Sequence, residues 1–238
     1  PICGTECKSM KLADIALDVQ KKMAERSLFN LKTVQVEFMV EHAKLKKEFL
    51  TVLRSAESVE GELDGVIEML EKSSFFRDPA SAKYHNAFYG GLLDHCMNVY
   101  VVLKSKAEMY NLNIPTQQLI RASLLHDVCK IGNYNTTAAW RKDSTNKWEA
   151  YPGYGYLPDN FPMGHGEKSL ALLTELIPLT RDEQLAIRWH SGPFEDGKAH
   201  DFTRAALASN LVPLLHTADF EASILLESQG TIEWLINM

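Results

Sequence analysis

Apolar residues recur along this chain at steps of three and four, and that period commits most of it to packed helices. Residues 62–73 show it most cleanly, with Leu63, Val66, Ile67 and Leu70 at i, i+3, i+4 and i+7. Residues 32–54 repeat it, with Val36, Met39, Val40, Ala43, Leu50 and Leu53 read as the apolar side of a Lys/Glu-rich helix. The same period predicts helices over Gly91–Tyr110, from just after Pro115 to Lys130, over Gly164–Ile177, over Arg181–His190 and over Thr203–Ser228. Pro115 suits a helix start, where its missing N–H costs nothing. Strand signal is confined to Thr137–Tyr156, where Trp140 and Trp148 flank a polar turn, as in a small hairpin near residues 138–156. Tyr151–Pro158 reads as loop because of its Gly and Pro content. The expected fold class is therefore all-α, a helical bundle with a small β-hairpin insertion. Residues 1–55 read as an N-terminal helical extension to a domain over 56–238.

Lys and Arg number 25 against 31 Asp and Glu, a formal charge of −6. That balance disfavours a broad basic surface for long nucleic acid. It leaves room for one compact positive site. Hydrophobic residues make up 45% of the chain, enough for a sizeable core. No apolar run approaches the roughly 18 residues of a membrane span. Residues 1–7 lack a signal pattern, and the chain opens on Pro1 rather than Met, as expected of a processed or truncated end. Cys96 and Cys129 lie in predicted helices and are expected as buried thiols, while Cys3 and Cys7 stand near one end. The expected setting is reducing and cytoplasmic.

The chemistry lies in the histidines. Leu124-Leu125-His126-Asp127 brings an imidazole and a carboxylate to the end of an apolar run. An ionisable pair approached through buried sequence needs a partner or a metal. His95 sits in Gly90-Gly91-Leu92-Leu93-Asp94-His95, early in a helix. His165 opens one helix, His190 closes another, and Asp219 lies within the last. Taken singly, each suits a core or capping role. His200 and His216 compete with them, and His216, three residues before Asp219, is a supporting or alternative ligand. Mixed imidazole and carboxylate donors suit Fe, Mn, Ni, Zn or Mg.

In order, His95, His126-Asp127 and Asp219 resemble the H…HD…D signature of the HD superfamily of metal-dependent phosphohydrolases, over roughly residues 70–225. The stretches Tyr84–His95 and Leu124–Gly132 look like the HD domains of exoribonucleases that join an OB-fold to an HD domain, and of some relaxases. The resemblance implies an all-helical HD domain. It also implies a first ion on His95, His126, Asp127 and Asp219, and a second shared through Asp127 with His165 and His190. Two such ions activate a bridging hydroxide and grip a phosphate. The Gly-Tyr-Pro element of cyclic-dinucleotide phosphodiesterases does not follow His190, and the N-terminal segment is too short for an OB-fold.

The resemblance thus implies a phosphohydrolase for a small phosphorylated substrate, a nucleotide or short oligonucleotide foremost. Asp127 and Lys130 are its catalytic candidates, and His85, Arg77 and Arg188 its substrate-binding candidates. Two divalent ions are its expected cofactors, and no membrane partner is expected. The competing expectations are a catalytically silent module that binds a nucleotide or partner as a sensor, and the HD domain of a larger nucleic-acid-processing protein. Aromatic residues of the Trp140–Tyr156 insertion, between Asp127 and His165, could stack a base.

Overall fold

The structure, a computed structural model, describes residues 11–24, 31–159, 161–194, 199–232 and 235–236. Among these the chain is mainly helical, with nine α-helices and one two-stranded antiparallel hairpin. They are α1 (Lys11–Ala24), α2 (Leu31–Arg54), α3 (Asp64–Lys72), α4 (Gly91–Met109) and α5 (Thr116–Leu125). After β1 (Tyr134–Lys142) and β2 (Trp148–Tyr156) come α6 (His165–Thr174), α7 (Arg181–Trp189), α8 (Ala199–Ala208) and α9 (Leu211–Glu221). Cys3 and Cys7 lie outside the described residues. No described helix is long and apolar enough to cross a membrane.

Helix α4 is the axis of the fold. Residues 91–99 are all buried, because this first half of the helix is covered on every side, while Lys104, Ser105 and Glu108 in the second half are exposed. Leu92, Leu93, Cys96 and Met97 join a core with Phe49, Leu70, Phe75, Leu124 and Leu125. Val99 and Leu103 join a second core with Leu119, Ala186, Leu215 and Ala218. His95 lies between these two cores. Cys96 and Cys129 are buried free thiols, as expected, and burial pushes both pKa values up.

Three expectations about the helices need correction. On α2 the buried residues are Phe38, His42, Leu45, Phe49 and Leu53, whereas Val36 is 63% and Val40 47% exposed and Ala43 is exposed too. The Phe rings set the phase because they remove the most apolar area from water. The helix after Pro115 ends at Leu125, before the His-Asp pair, instead of running to Lys130. A 3-10 turn over Val128–Lys130 follows. The last predicted helix is two, α8 and α9, followed by a π-turn over Ala222–Leu226. Pro213, in the first turn of α9, is tolerated only near a helix start, so it favours a new helix there.

The hairpin pairs Tyr134 with Tyr156, Trp140 with Ala150 and Lys142 with Trp148. Asp143 Oδ1 accepts bonds from the Thr145 and Lys147 amides and closes the turn. The Gly/Pro stretch read as loop is strand β2 as far as Tyr156. In a two-stranded ribbon each strand has an open edge, where Pro152 is tolerated. Gly153 faces Ala139, where a Cβ would come within 2.9 Å of the Ala139 methyl.

Helices α6 and α7 cross with almost no gap at Gly166, where an added Cβ would stand 2.1 Å from the Arg188 carbonyl oxygen. By contrast, Gly65 lies in α3, and its nearest neighbour to an added Cβ is Leu176 Cδ2 at 3.6 Å. Gly166→Ala should therefore destabilise by about 1–3 kcal/mol through overpacking. Gly65→Ala should stabilise by about 0.5–1 kcal/mol through lost backbone entropy in the unfolded chain. Thermal melts followed by circular dichroism should move in opposite directions, by about 2–4 °C per kcal/mol.

Candidate metal centre

Four helices bring ligand-type side chains to one point by their ends and one middle. His95 projects from α4, and Asp219 from α9. His126 is the residue at which α5 ends, and His190 ends α7 in the same way. The last carbonyls of a helix have no partner in the next turn. His126 Nδ1 donates to the Ser123 carbonyl at 2.7 Å, and His190 Nδ1 donates to the Ile187 carbonyl at 2.8 Å. Each ring thus caps its own helix. A carbonyl can only accept, so Nδ1 carries a hydrogen and Nε2 is the nitrogen left to meet a ligand.

Those nitrogens converge. His95 Nε2 lies 3.2 Å from His126 Nε2, 3.3 Å from Asp219 Oδ1 and 3.4 Å from Asp127 Oδ2. His126 Nε2 is 3.4 Å from Asp127 Oδ2, and His190 Nε2 is 3.4 Å from Asp127 Oδ1. His95, His126, Asp127 and His190 are all buried. Within this set two groups could each hold a metal ion, His95 with His126 and Asp219, and His126 with Asp127 and His190.

The donors fit a divalent cation. Ligand atoms about 2.0–2.2 Å from one ion stand roughly 3.0–3.5 Å apart around it, the spacing found between these atoms. Asp127 Oδ1 is buried and accepts no hydrogen bond from the described residues. An orphaned carboxylate oxygen among imidazole lone pairs calls for positive charge. The titration of the cluster points the same way. Burial opposes charge on His95, yet Glu227, Asp127 and Asp219 outweigh it and hold its pKa well above the ordinary value. Burial likewise opposes charge on Asp127, but Lys130 and His126 hold it well below the usual carboxylate range. A proton on His95 occupies the electrostatic role that a metal would take.

Other predicted residues fall around the centre in different ways. Lys130 is buried with Nζ 2.6 Å from Asp127 Oδ2, so it neutralises and orients that carboxylate. His85 lies against His95 with ring centroids 5.1 Å apart and planes tilted by 44°. Burial, and next the charges of His95 and Lys130, lower its pKa to about 4, so it is neutral at pH 7. His165 opens α6 and belongs to none of the metal-type groups. Arg188 pairs with Glu167 at 2.6 Å and lies over the Trp189 ring. Arg77 is exposed in the turn region ahead of α4. His216 Nδ1 donates to the His190 carbonyl at 2.7 Å, which steadies the backbone of a ligand instead of adding one. His200 is exposed on α8.

Sequence reasoning missed Glu227. It is buried, and it forms a third metal-type group with His85 and His95. The available signal was one acid ending the apolar run Ile224-Leu225-Leu226. Comparison of the chain with protein-family models, with curated proteins and with solved structures finds no match.

Metal should bind the folded chain alone and stabilise it. At a hundred times its dissociation constant, an ion adds about 2.7 kcal/mol. That corresponds to a melting temperature raised by roughly 5–11 °C for a chain of this size. Asp127→Asn should abolish the shift. A wild-type protein whose melt is indifferent to Mn, Fe, Ni, Zn and Mg alike would refute the centre.

Proposed function

We propose that the chain is an HD-type metal-dependent phosphohydrolase acting on a small phosphorylated substrate, a nucleotide or short oligonucleotide. The observation that carries this reading is the division of Asp127, whose Oδ2 faces His95 and His126 while Oδ1 faces His190. A carboxylate that faces two sets of donors with its two oxygens is suited to bridge a pair of ions. His95, His126, Asp127 and Asp219 would hold the first ion, and Asp127 with His190 the second. The HD resemblance adds His165 to the second position. When bound, divalent ions supply activation of water near neutral pH and neutralisation of phosphate charge.

The residues of the chain do the rest. Lys130 keeps Asp127 ionised and holds its Oδ2, which fixes the plane of the carboxylate so that its two oxygens face the two sets of histidines. The carbonyl bonds of His126 and His190 lock their tautomers, so neither ring must reorganise during a reaction cycle. His85 keeps a buried Nε2 without a hydrogen-bond partner among the described residues, beside His95. The nucleotide preference is supported by the hairpin. Trp140, Trp148 and Tyr156 occupy one face, by the alternation of the strands, and each is 63% or more exposed. Tyr134, paired with Tyr156 at its base, lies close enough to Lys130 to sense its charge. Exposed rings of this kind stack bases.

The place of His165 outside the metal-type groups favours one further reading, a module that binds a nucleotide without hydrolysing it. A panel of nucleotides, short oligonucleotides and generic phosphate esters, assayed with Mn, Fe, Ni, Zn and Mg, separates the two. The enzyme reading expects turnover that depends on metal and falls at least about 100-fold in Asp127→Ala, a larger loss than a supporting residue gives. Nucleotide binding without turnover or metal would instead establish the sensor.

A further inference from the structure

Glu227 follows the π-turn after α9, and its carboxylate is buried with none of its side-chain surface exposed. A carboxylate taken out of water in this way needs a strong partner. Its Oε1 accepts from His95 Nδ1 at 2.8 Å, and Asn98 Nδ2 approaches the same oxygen at 3.5 Å. Its Oε2 is buried and has no hydrogen-bond partner among the described residues. Glu227 and the converging ligand atoms therefore sit at opposite nitrogens of one imidazole. His126 and His190 differ in this respect, because their Nδ1 atoms donate to neutral carbonyls of their own helices. His95 cannot do so inside α4, where the carbonyls bond the next turn.

The position of Glu227 is enforced by a strap. Asn86 N donates to Ser228 O at 3.0 Å, Gly230 N to Tyr84 O at 2.7 Å, and Ile232 N to Ala87 O at 3.3 Å. Ser228 N returns a bond to Asn86 Oδ1 at 3.3 Å. Residues 228–232, directly after Glu227, are thereby fastened along residues 84–87, the segment that leads into α4.

We infer that Glu227 is a positioning residue that fixes the tautomer and direction of His95 and strengthens its Nε2 as a metal donor. A charged acceptor at Nδ1 pushes electron density toward the far nitrogen, which a carbonyl does less well. His95 becomes the strongest imidazole donor of the set, and the strap makes metal affinity depend on residues 132 positions away in sequence. The inference rests on the metal centre proposed above, and not on any substrate.

The test is direct titration of the full chain with Zn2+ or Mn2+ alone, beside the melting temperature of the metal-free protein. Glu227→Gln keeps the shape and an acceptor but removes the charge, and Glu227→Ala removes both. The expected result is metal binding weakened about 10- to 100-fold in the Ala variant. The Gln variant should fall between it and the wild type, with a metal-free melt close to that of the wild type. If Glu227→Ala fails to fold, Glu227→Gln decides alone. Equal metal affinity in wild type and Glu227→Gln would overturn the role of Glu227 while leaving the centre intact. A wild type that binds no metal would overturn the centre itself, and this inference with it.

Discussion

The rest of the structure is arranged around a conflict between imidazole lone pairs and carboxylates in a dry interior. Three Nε2 atoms and two carboxylates approach one another to 3.2–3.4 Å, and all but Asp219 are buried. No hydrophobic core tolerates that without positive charge. Lys130 supplies one such charge, on Asp127. The remainder must come from protons or from a cation. Burial of residues 91–99 of α4 on all sides is what makes the conflict sharp, since a half-exposed His95 would be relieved by solvent.

Helix ends are the structural means by which the conflict is held in place. Two of the converging rings cap the helices that carry them, so one hydrogen bond both terminates the helix and orients the ring. The turn after α5 then swings Asp127 out of the helical path, with φ −109° and ψ 18°, toward both sets of histidines. Continuation of α5 through residues 126 and 127 would separate their side chains by about 100° around the axis. Ending the helix there allows both to face the same point.

Much of this was legible in the chain. The three-to-four period marked α3 and α4 to within two residues at each end, because their apolar faces are long and regular. The order His95, His126, Asp127, His190 and Asp219 marked five residues that meet. What escaped was information that the local sequence does not hold. The buried side of α2 depended on which residues found partners, and Phe38 and Phe49 outweighed Val36 and Val40. The breaks at Leu125 and Asn210 depended on capping and on Pro213, which periodicity ignores. Glu227 was illegible because nothing near it in sequence shows that His95 lies against it. The strand character of Tyr151–Tyr156 was hidden by residues that weaken strands in wide sheets but are tolerated in a ribbon with two edges.

The strap from residue 228 to residue 232 has a consequence for synthesis. The centre draws on residues from 95 to 219, and its rear support arrives only at 227. A chain emerging from the ribosome at about 5–20 residues per second shows His95 and the His126-Asp127 pair seconds before that support exists. During that interval the nascent chain has the candidate ligands but no fixed geometry for them. Completion of the strap is the moment at which a loose set of donors becomes a fixed one. Any choice among metals at these residues would therefore fall to the folded chain.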